Sequence, residues 1–209
     1  MTLDHPGTLR GALVTLEPLA PEHHDELVEA VQDGELWRLW YTSIPTPEEM
    51  GTEIRRRLRL QDAGSMLPFT ARRNDTGRAI GMTTFMNIDA ATPRVEIGST
   101  WNAAGAQGTG TNPESKLLLL RHAFEVWDCP AVEFRTDFNN HQSREAIARL
   151  GAKQDGVLRA HRRAPGYLRD TVVFSITRPE WPGVRLGLEH RIQRHLAAGP
   201  GTDPEPRLG

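Results

Sequence analysis

Gln107-Gly108-Thr109-Gly110-Thr111-Asn112-Pro113 runs directly into Glu114-Ser115-Lys116-Leu117-Leu118-Leu119-Leu120-Arg121, and the reading of this junction decides the fold. Gly105, Gly108 and Gly110 permit positive φ and carry no Cβ, so a ligand can approach bare backbone. Asn112 is a favoured N-cap residue, and Pro113 then fits the first helical position, where a missing N–H is harmless. The apolar run from Leu117 to Trp127 supplies the helix. N–H groups at such a start lack intrahelical partners and carry roughly half a positive charge, which makes the spot an anion site. A plain glycine turn ahead of a capped helix has the same local sequence. The stretch upstream, Arg94-Val95-Glu96-Ile97-Gly98-Ser99-Thr100-Trp101, alternates as a strand. Strand, glycine loop and helix in that order form a common grip on a diphosphate.

The loop lacks the Gly-Lys-Ser/Thr ending of a P-loop, and its glycine spacing does not fit the dinucleotide fingerprint. Charge is balanced in the 209 residues, with 25 Lys and Arg against 27 Asp and Glu and a net −2. That argues against a protein that binds nucleic acid through bulk electrostatics. The single Cys129 cannot form an intramolecular disulfide. Met1–Arg10 has no apolar signal core, and no stretch reaches membrane-spanning length, so a cytoplasmic protein is expected, with no membrane partner.

Along the chain, residues 13–17 read as a first strand, and a helix follows from Glu22 with Leu27, Val28 and Val31 on its apolar side. Trp37, Trp40 and Tyr41 then form the densest aromatic cluster, beside the proline-punctuated loop Thr42–Pro47. Thr46 can cap a second helix reaching about Leu60, whose arginine row Arg55, Arg56, Arg57 and Arg59 reads as a solvated face. Strands are expected over 66–73, 79–88 and 94–101, the first two joined through Asn74-Asp75-Thr76-Gly77 as a hairpin. After the glycine loop come helix 113–127, strand 132–137 and a helix capped by Asn139 or Asn140 and ended by Gly151. The last strands, 157–161 and 171–177, flank Ala164-Pro165-Gly166. Residues 10–180 are read as one domain, 181–196 as a C-terminal helical extension and 197–209 as a disordered tail.

Gln107-x-x-Gly110-x-Asn112 resembles the Gln/Arg-x-x-Gly-x-Gly/Ala signature of the GNAT superfamily of N-acyltransferases. Asn112 stands where the family usually has Gly or Ala, and Gly108 where relatives often carry Arg. The segments Val95-Glu96-Ile97-Gly98, Asp137-Phe138-Asn139-Asn140-His141-Gln142-Ser143-Arg144 and Ala148-Arg149-Leu150-Gly151-Ala152 are similar to the RimJ/RimL-like branch. The resemblance covers residues 10–180. It implies an α/β (α+β) domain with a mixed, mostly antiparallel sheet of about seven strands flanked by helices. Two of those strands splay apart to hold acetyl-CoA.

The activity implied is direct transfer of an acetyl group from acetyl-CoA to a primary amine, with no metal. Trp101, Gln107, Gly108, Thr109, Gly110, Thr111 and Asn112 are the expected cofactor contacts, joined by Asn140 and Ser143. Asn140 matches the family's Asn that holds the pantetheine arm or a water, and Ser143 matches the Ser proposed to protonate the leaving thiol. Both also suit plain helix capping. Glu96 is the first candidate for general base because it alternates with Val95 and Ile97 and so faces away from them. A sheet-surface Glu paired with an Arg fits that position equally. Asp137 comes second, and His161 has the right intrinsic pKa. Arg135 replaces the strand glutamate used by some relatives. No Cys, Ser or His spacing suggests a triad or a metal site.

Trp37, Trp40, Tyr41 and Tyr167 are expected to wall the acceptor site with apolar faces and polar edges, although each ring also suits a core. A peptide or protein N-terminal α-amine is the first acceptor and a small-molecule amine the second. A homodimer is allowed. A longer acyl donor stays open, as does a GNAT-shaped module that binds CoA or a protein and catalyses nothing.

Overall fold

The structure is a computed structural model, and it describes residues 3–198. In chain order the elements are β1 (Leu9–Arg10), β2 (Val14–Pro18), α1 (His24–Gln32), α2 (Met50–Asp62), β3 (Met66–Arg73), β4 (Ala79–Asp89) and β5 (Arg94–Asn102). There follow α3 (Thr111–Arg121), β6 (Ala131–Asp137), α4 (His141–Arg149), β7 (Lys153–Ala164), β8 (Tyr167–Thr177) and α5 (Trp181–Ala198). All eight strands join one sheet in the order β1-β2-β3-β4-β5-β6-β8-β7. Only β5 and β6 run parallel. The strand beyond the seven expected is β1, too short to show a pattern.

Two helical layers cover the sheet. Leu27, Ala30 and Val31 of α1 and Met50 and Ile54 of α2 pack with Met82 and Trp101 on one face. Leu117–Leu120 of α3, Ile147 of α4, and Leu188 and Ile192 of α5 share the larger core with Val95, Ile97, Val132 and Phe134. Helix α5 is therefore built into this core, and Ala197 and Ala198 of the expected tail are helical. The remainder of that tail lies outside the described residues.

Several expectations shift for local reasons. The box at Thr46 forms, with the Glu49 N–H donating to the Thr46 hydroxyl at 3.3 Å and the Thr46 N–H to the Glu49 carboxylate at 3.1 Å, yet regular helix starts only at Met50. Strands β7 and β8 extend further than expected because their exposed ends are polar and show no alternation. Arg57 is buried rather than solvated, at 3 % exposure, so the arginine row is not one solvent face.

Helix α3 begins at Thr111 with Gly110 as its cap at φ +83°, two residues before the expected start at Pro113. A side chain far from the cap helps fix that start. Buried Glu114 accepts the backbone N–H groups of Ala12, Leu13 and Val14 at 2.8, 2.6 and 2.8 Å. It thereby joins the first turn of α3 to the start of β2. Glu114→Ala orphans three N–H donors, a loss of about 3 kcal/mol for hydrogen bonds to a buried charge. Thermal melts should show Tm lower by about 6–12 °C, at about 2–4 °C per kcal/mol for a chain of this size. A shift under about 2 °C would contradict the role given to Glu114.

Candidate functional site

Strands β5 and β6 pair over only three positions, Arg94 with Ala131, Val95 with Val132 and Glu96 with Glu133. Beyond Glu96 the two strands part, so the backbone of Ile97–Asn102 faces β4 on one side and a gap on the other. Strand β5 also changes register against β4 between Met82 and Thr84, and Ser99 adopts φ +46° there. This bulge reverses the side-chain alternation: Ile97 packs with α3, but Trp101 packs with α1 and α2. Trp101 is buried, so only its backbone is left to face a ligand.

The glycine loop sits beside this gap. Among the described residues, the N–H groups of Gly108, Thr109 and Gly110 meet no acceptor. Those of Thr111 and Asn112 are the first two of the helix and have no intrahelical acceptor. The loop is held from within, as the Thr109 and Thr111 hydroxyls both donate to the Ala106 carbonyl, at 2.7 and 3.2 Å. Asn112 accepts weakly from Asn102 at 3.4 Å instead of capping the helix. The exposed Gln107 accepts from Gln142 of α4 at 3.2 Å, which ties the loop to the neighbouring helix start.

Two of the three glycines are required by the protein's own packing. A Cβ on Gly110 would lie 2.8 Å from the His195 ring and 2.9 Å from Leu13. A Cβ on Gly105 would lie 2.9 Å from the Asp33 carboxylate, which accepts the Gly105 N–H at 2.8 Å. Gly108 is exposed at φ +76°, and its N–H is open. The His195 and Asp33 contacts are invisible in sequence because both partners are remote from the loop.

Asn140 is the N-cap of α4, its side-chain oxygen accepting the Ser143 N–H at 2.9 Å. That leaves its amide N–H₂ to donate elsewhere, while the half-buried Ser143 hydroxyl has no hydrogen-bond partner among the described residues. The capping role therefore leaves the Asn140 amide N–H₂ and the Ser143 hydroxyl uncommitted at this turn.

On the face that α1 and α2 leave open, Glu96 is buried, accepts from Asn87 at 2.6 Å and lies 3.5 Å from Arg135. It is thus the Arg-paired sheet glutamate that sequence allowed, but a desolvated one. Burial pushes its pKa above the usual carboxylate value, against the opposing pull of Asn87, Arg135 and Arg162. The missing side chain at Gly98 gives it room, since a Cβ there would lie 2.9 Å from the carboxylate oxygen. Asp137 is fully engaged: it accepts the Asn139 backbone at 2.8 Å and the Tyr167 hydroxyl at 2.6 Å, with Arg169 at 3.6 Å. Burial and then the Asp137 bond push the Tyr167 pKa up to about 12, so that hydroxyl stays protonated near neutrality. His161 is exposed, contacts Thr171 at 3.1 Å and has its pKa lowered by desolvation and nearby arginines.

The aromatic residues divide. Trp37 packs partly buried against the α1–α2 core. Trp40 is 61 % exposed, with its ring 5.4 Å from Tyr41 and 5.2 Å from Tyr167, both edge-on. The loop before α2 and the β7–β8 hairpin therefore meet through Trp40 and Tyr167.

The sequence and the fold both have counterparts among known proteins. The family model described as "Acetyltransferase (GNAT) domain" matches residues 14–153, well over half of the chain. The chain belongs to the GNAT acetyltransferase family. "Putative ribosomal N-acetyltransferase YdaF" of Bacillus subtilis is 29 % identical over 107 residues, 51 % of this chain and 58 % of that protein. The chain thus matches little more than half the length of that relative. A GCN5-related N-acetyltransferase from Brucella melitensis superposes with a TM-score of 0.81 at 26 % identity, covering 90 % of this chain and 86 % of that one. Mycobacterium smegmatis RimJ, solved with CoA-disulfide, shares the fold at a TM-score of 0.71 and 22 % identity, over 92 % and 93 % of the two chains. Among the described residues of this GNAT protein, no helix is long and apolar enough to cross a membrane.

Because Gly110 is pressed between His195 and Leu13, a side chain there should act on stability. Gly110→Ala adds left-handed strain to the clash, at least about 1 kcal/mol. Thermal melts should show a lower Tm even without ligand, and an unchanged Tm would refute the packing role.

Proposed function

We propose that this GNAT protein transfers an acetyl group from acetyl-CoA directly to a primary amine, a peptide or protein N-terminal α-amine by preference and a small-molecule amine second. The observation that carries the reading is the parting of β5 from β6 beside the open N–H groups of Gly108–Asn112. In this reading the diphosphate rests on the loop, where helix dipole and N–H groups both favour negative charge. The pantetheine amides pair with the β5 backbone beyond Glu96, which lacks a β6 partner. Asn140 donates to the pantetheine arm and Ser143 gives a proton to the departing sulfur.

Glu96 removes the amine's proton, directly or through a water. Its raised pKa makes it a better base than a solvated carboxylate. An α-amine, with a pKa of about 8, supplies more free base near neutrality than an alkyl amine at about 10. Trp40 and Tyr167 present apolar faces to a peptide end. The ribosomal description of the Bacillus subtilis relative fits a protein acceptor. The decisive test is thiol release from acetyl-CoA against a panel of peptides and small amines. If CoA binds but no amine releases thiol, the protein is a non-catalytic CoA-binding module.

Glu96 as base makes kcat rise with pH through a pKa above the ordinary carboxylate range, because only the ionised form accepts a proton. Glu96→Gln should remove that acidic limb and lower kcat about a hundredfold. An intact limb in the variant would assign the base elsewhere.

Trp40→Ala should raise KM for the peptide about tenfold while acetyl-CoA affinity stays within about twofold, the pattern of a lost acceptor contact. Equal steady-state constants for both substrates in variant and parent would place the acceptor away from this aromatic bridge.

A further inference from the structure

Two buried basic side chains flank the Ser99–Thr100 step from opposite faces of the sheet, one on its backbone and one on its side chain. Arg57 reaches it from α2, its Nη2 donating to the Ser99 carbonyl at 3.0 Å while its Nε pairs with Glu53 at 2.7 Å. Its Nη1 is buried without a partner. Lys116 approaches from α3 and meets side chains only, its Nζ donating to the hydroxyls of Thr100 at 2.7 Å and Thr83 at 3.0 Å. Ser99 and Thr100 share a trans peptide at the β5 bulge, and Ser99 is exposed where Arg57 and Lys116 are not. The N–H of a trans peptide points opposite to its carbonyl. A cation on the carbonyl therefore polarises the N–H on the other side and makes it a stronger donor.

Stability does not account for a charge on Lys116. Burying an ammonium without a carboxylate is unfavourable, and a methionine would fill the same space. Burial alone pulls the Lys116 pKa down to about 7, and no charged neighbour offsets it. The carboxylate nearest in sequence, Glu114, is committed to the N–H groups of Ala12–Val14. Around Arg57 the charged groups are Glu53 and Arg56 of its own helix.

We propose that Arg57 and Lys116 are positioning residues for acyl transfer, holding the Ser99–Thr100 peptide and placing positive charge behind it where the thioester oxygen gains negative charge. This rests on the reading that acetyl-CoA lies along β5. In the step concerned, the amine lone pair forms the new N–C bond while the carbonyl electron pair moves onto oxygen. The C–S bond then breaks, sulfur leaves with its pair and takes a proton, and the amine's proton passes to the base. Only the oxygen's transient charge needs the two cations, so they should act on kcat more than on binding.

The test compares Lys116→Met, Arg57→Met and Arg57→Lys with the parent by thiol release with saturating acetyl-CoA and the best amine, well below every Tm. Calorimetric binding of acetyl-CoA and thermal melts accompany it. Lys116→Met should lower kcat at least about tenfold, leave acetyl-CoA Kd within about threefold, and raise Tm, since Thr83 and Thr100 keep their mutual 2.8 Å bond. Arg57→Met should lose kcat similarly, and Arg57→Lys should recover part of it. Values of kcat within about twofold of the parent for both methionine variants overturn the inference. Losses that Arg57→Lys does not recover, or that track a weaker Kd, overturn it as well. A parent that binds acetyl-CoA but acetylates nothing fails the transferase reading itself; active variants in an active parent fail this inference alone.

Discussion

Three pairs of residues hold β5 to β6, and the arrangement around the candidate site follows from there being no more. A parallel pair that continued would satisfy the backbone of Ile97–Asn102 and close the sheet. Because it stops at Glu96 and Glu133, an edge of donors and acceptors opens within the sheet instead of at its rim. The bulge at Ser99 keeps the strands from closing again, by slipping β5 against β4 and reversing which face Thr100 and Trp101 address. Helices α3 and α4 begin at the same end, so the loop, the cap at Asn140 and the open strand share one neighbourhood.

Sheet and helices on both faces meet in that gap for different reasons. From α3 and α4 come dipoles and free N–H groups, which suit a ligand's negative charge. From the opposite face comes a dense electrostatic cluster in which Glu96, Asp137, Tyr167, Arg135, Arg162 and Arg169 influence one another. The parting between β5 and β6 is where these two surroundings adjoin.

Most of the architecture was legible because alternating strands, capped helices and the glycine loop each leave a local signature. The strand 66–73 needed nothing beyond its own sequence, and the sequence narrows the N-cap of α4 to Asn139 or Asn140, of which Asn140 holds it. What escaped the sequence depends on partners distant along the chain. Gly110 gives no sign in the sequence of the His195 ring packed against it, and Arg57 reads as solvated until α2 is laid over the bulge. The bulge left only one mark, the isolated Gly98 beside Ser99, which reading 94–101 as a plain alternating strand passes over. Lys116 sits in a helix apolar enough to be read as core, and only its two threonine partners explain how a charge is accommodated there. Candidate cofactor positions were thus readable as a motif, whereas the side chains that shape them were not.

The crowding at Gly110 has a bearing on how the protein is made. Leu13 presses on that residue from near the start of the chain and His195 from near the end of the last helix, while Glu114 grips Ala12–Val14. During synthesis the sheet can assemble once β8 has emerged, but the glycine loop still lacks one of its walls. Its final shape waits for α5 to leave the ribosome and dock. A nascent chain can therefore hold a nearly complete sheet before it holds a finished loop, so that docking of α5, and not closure of the sheet, sets the shape of the glycine turn.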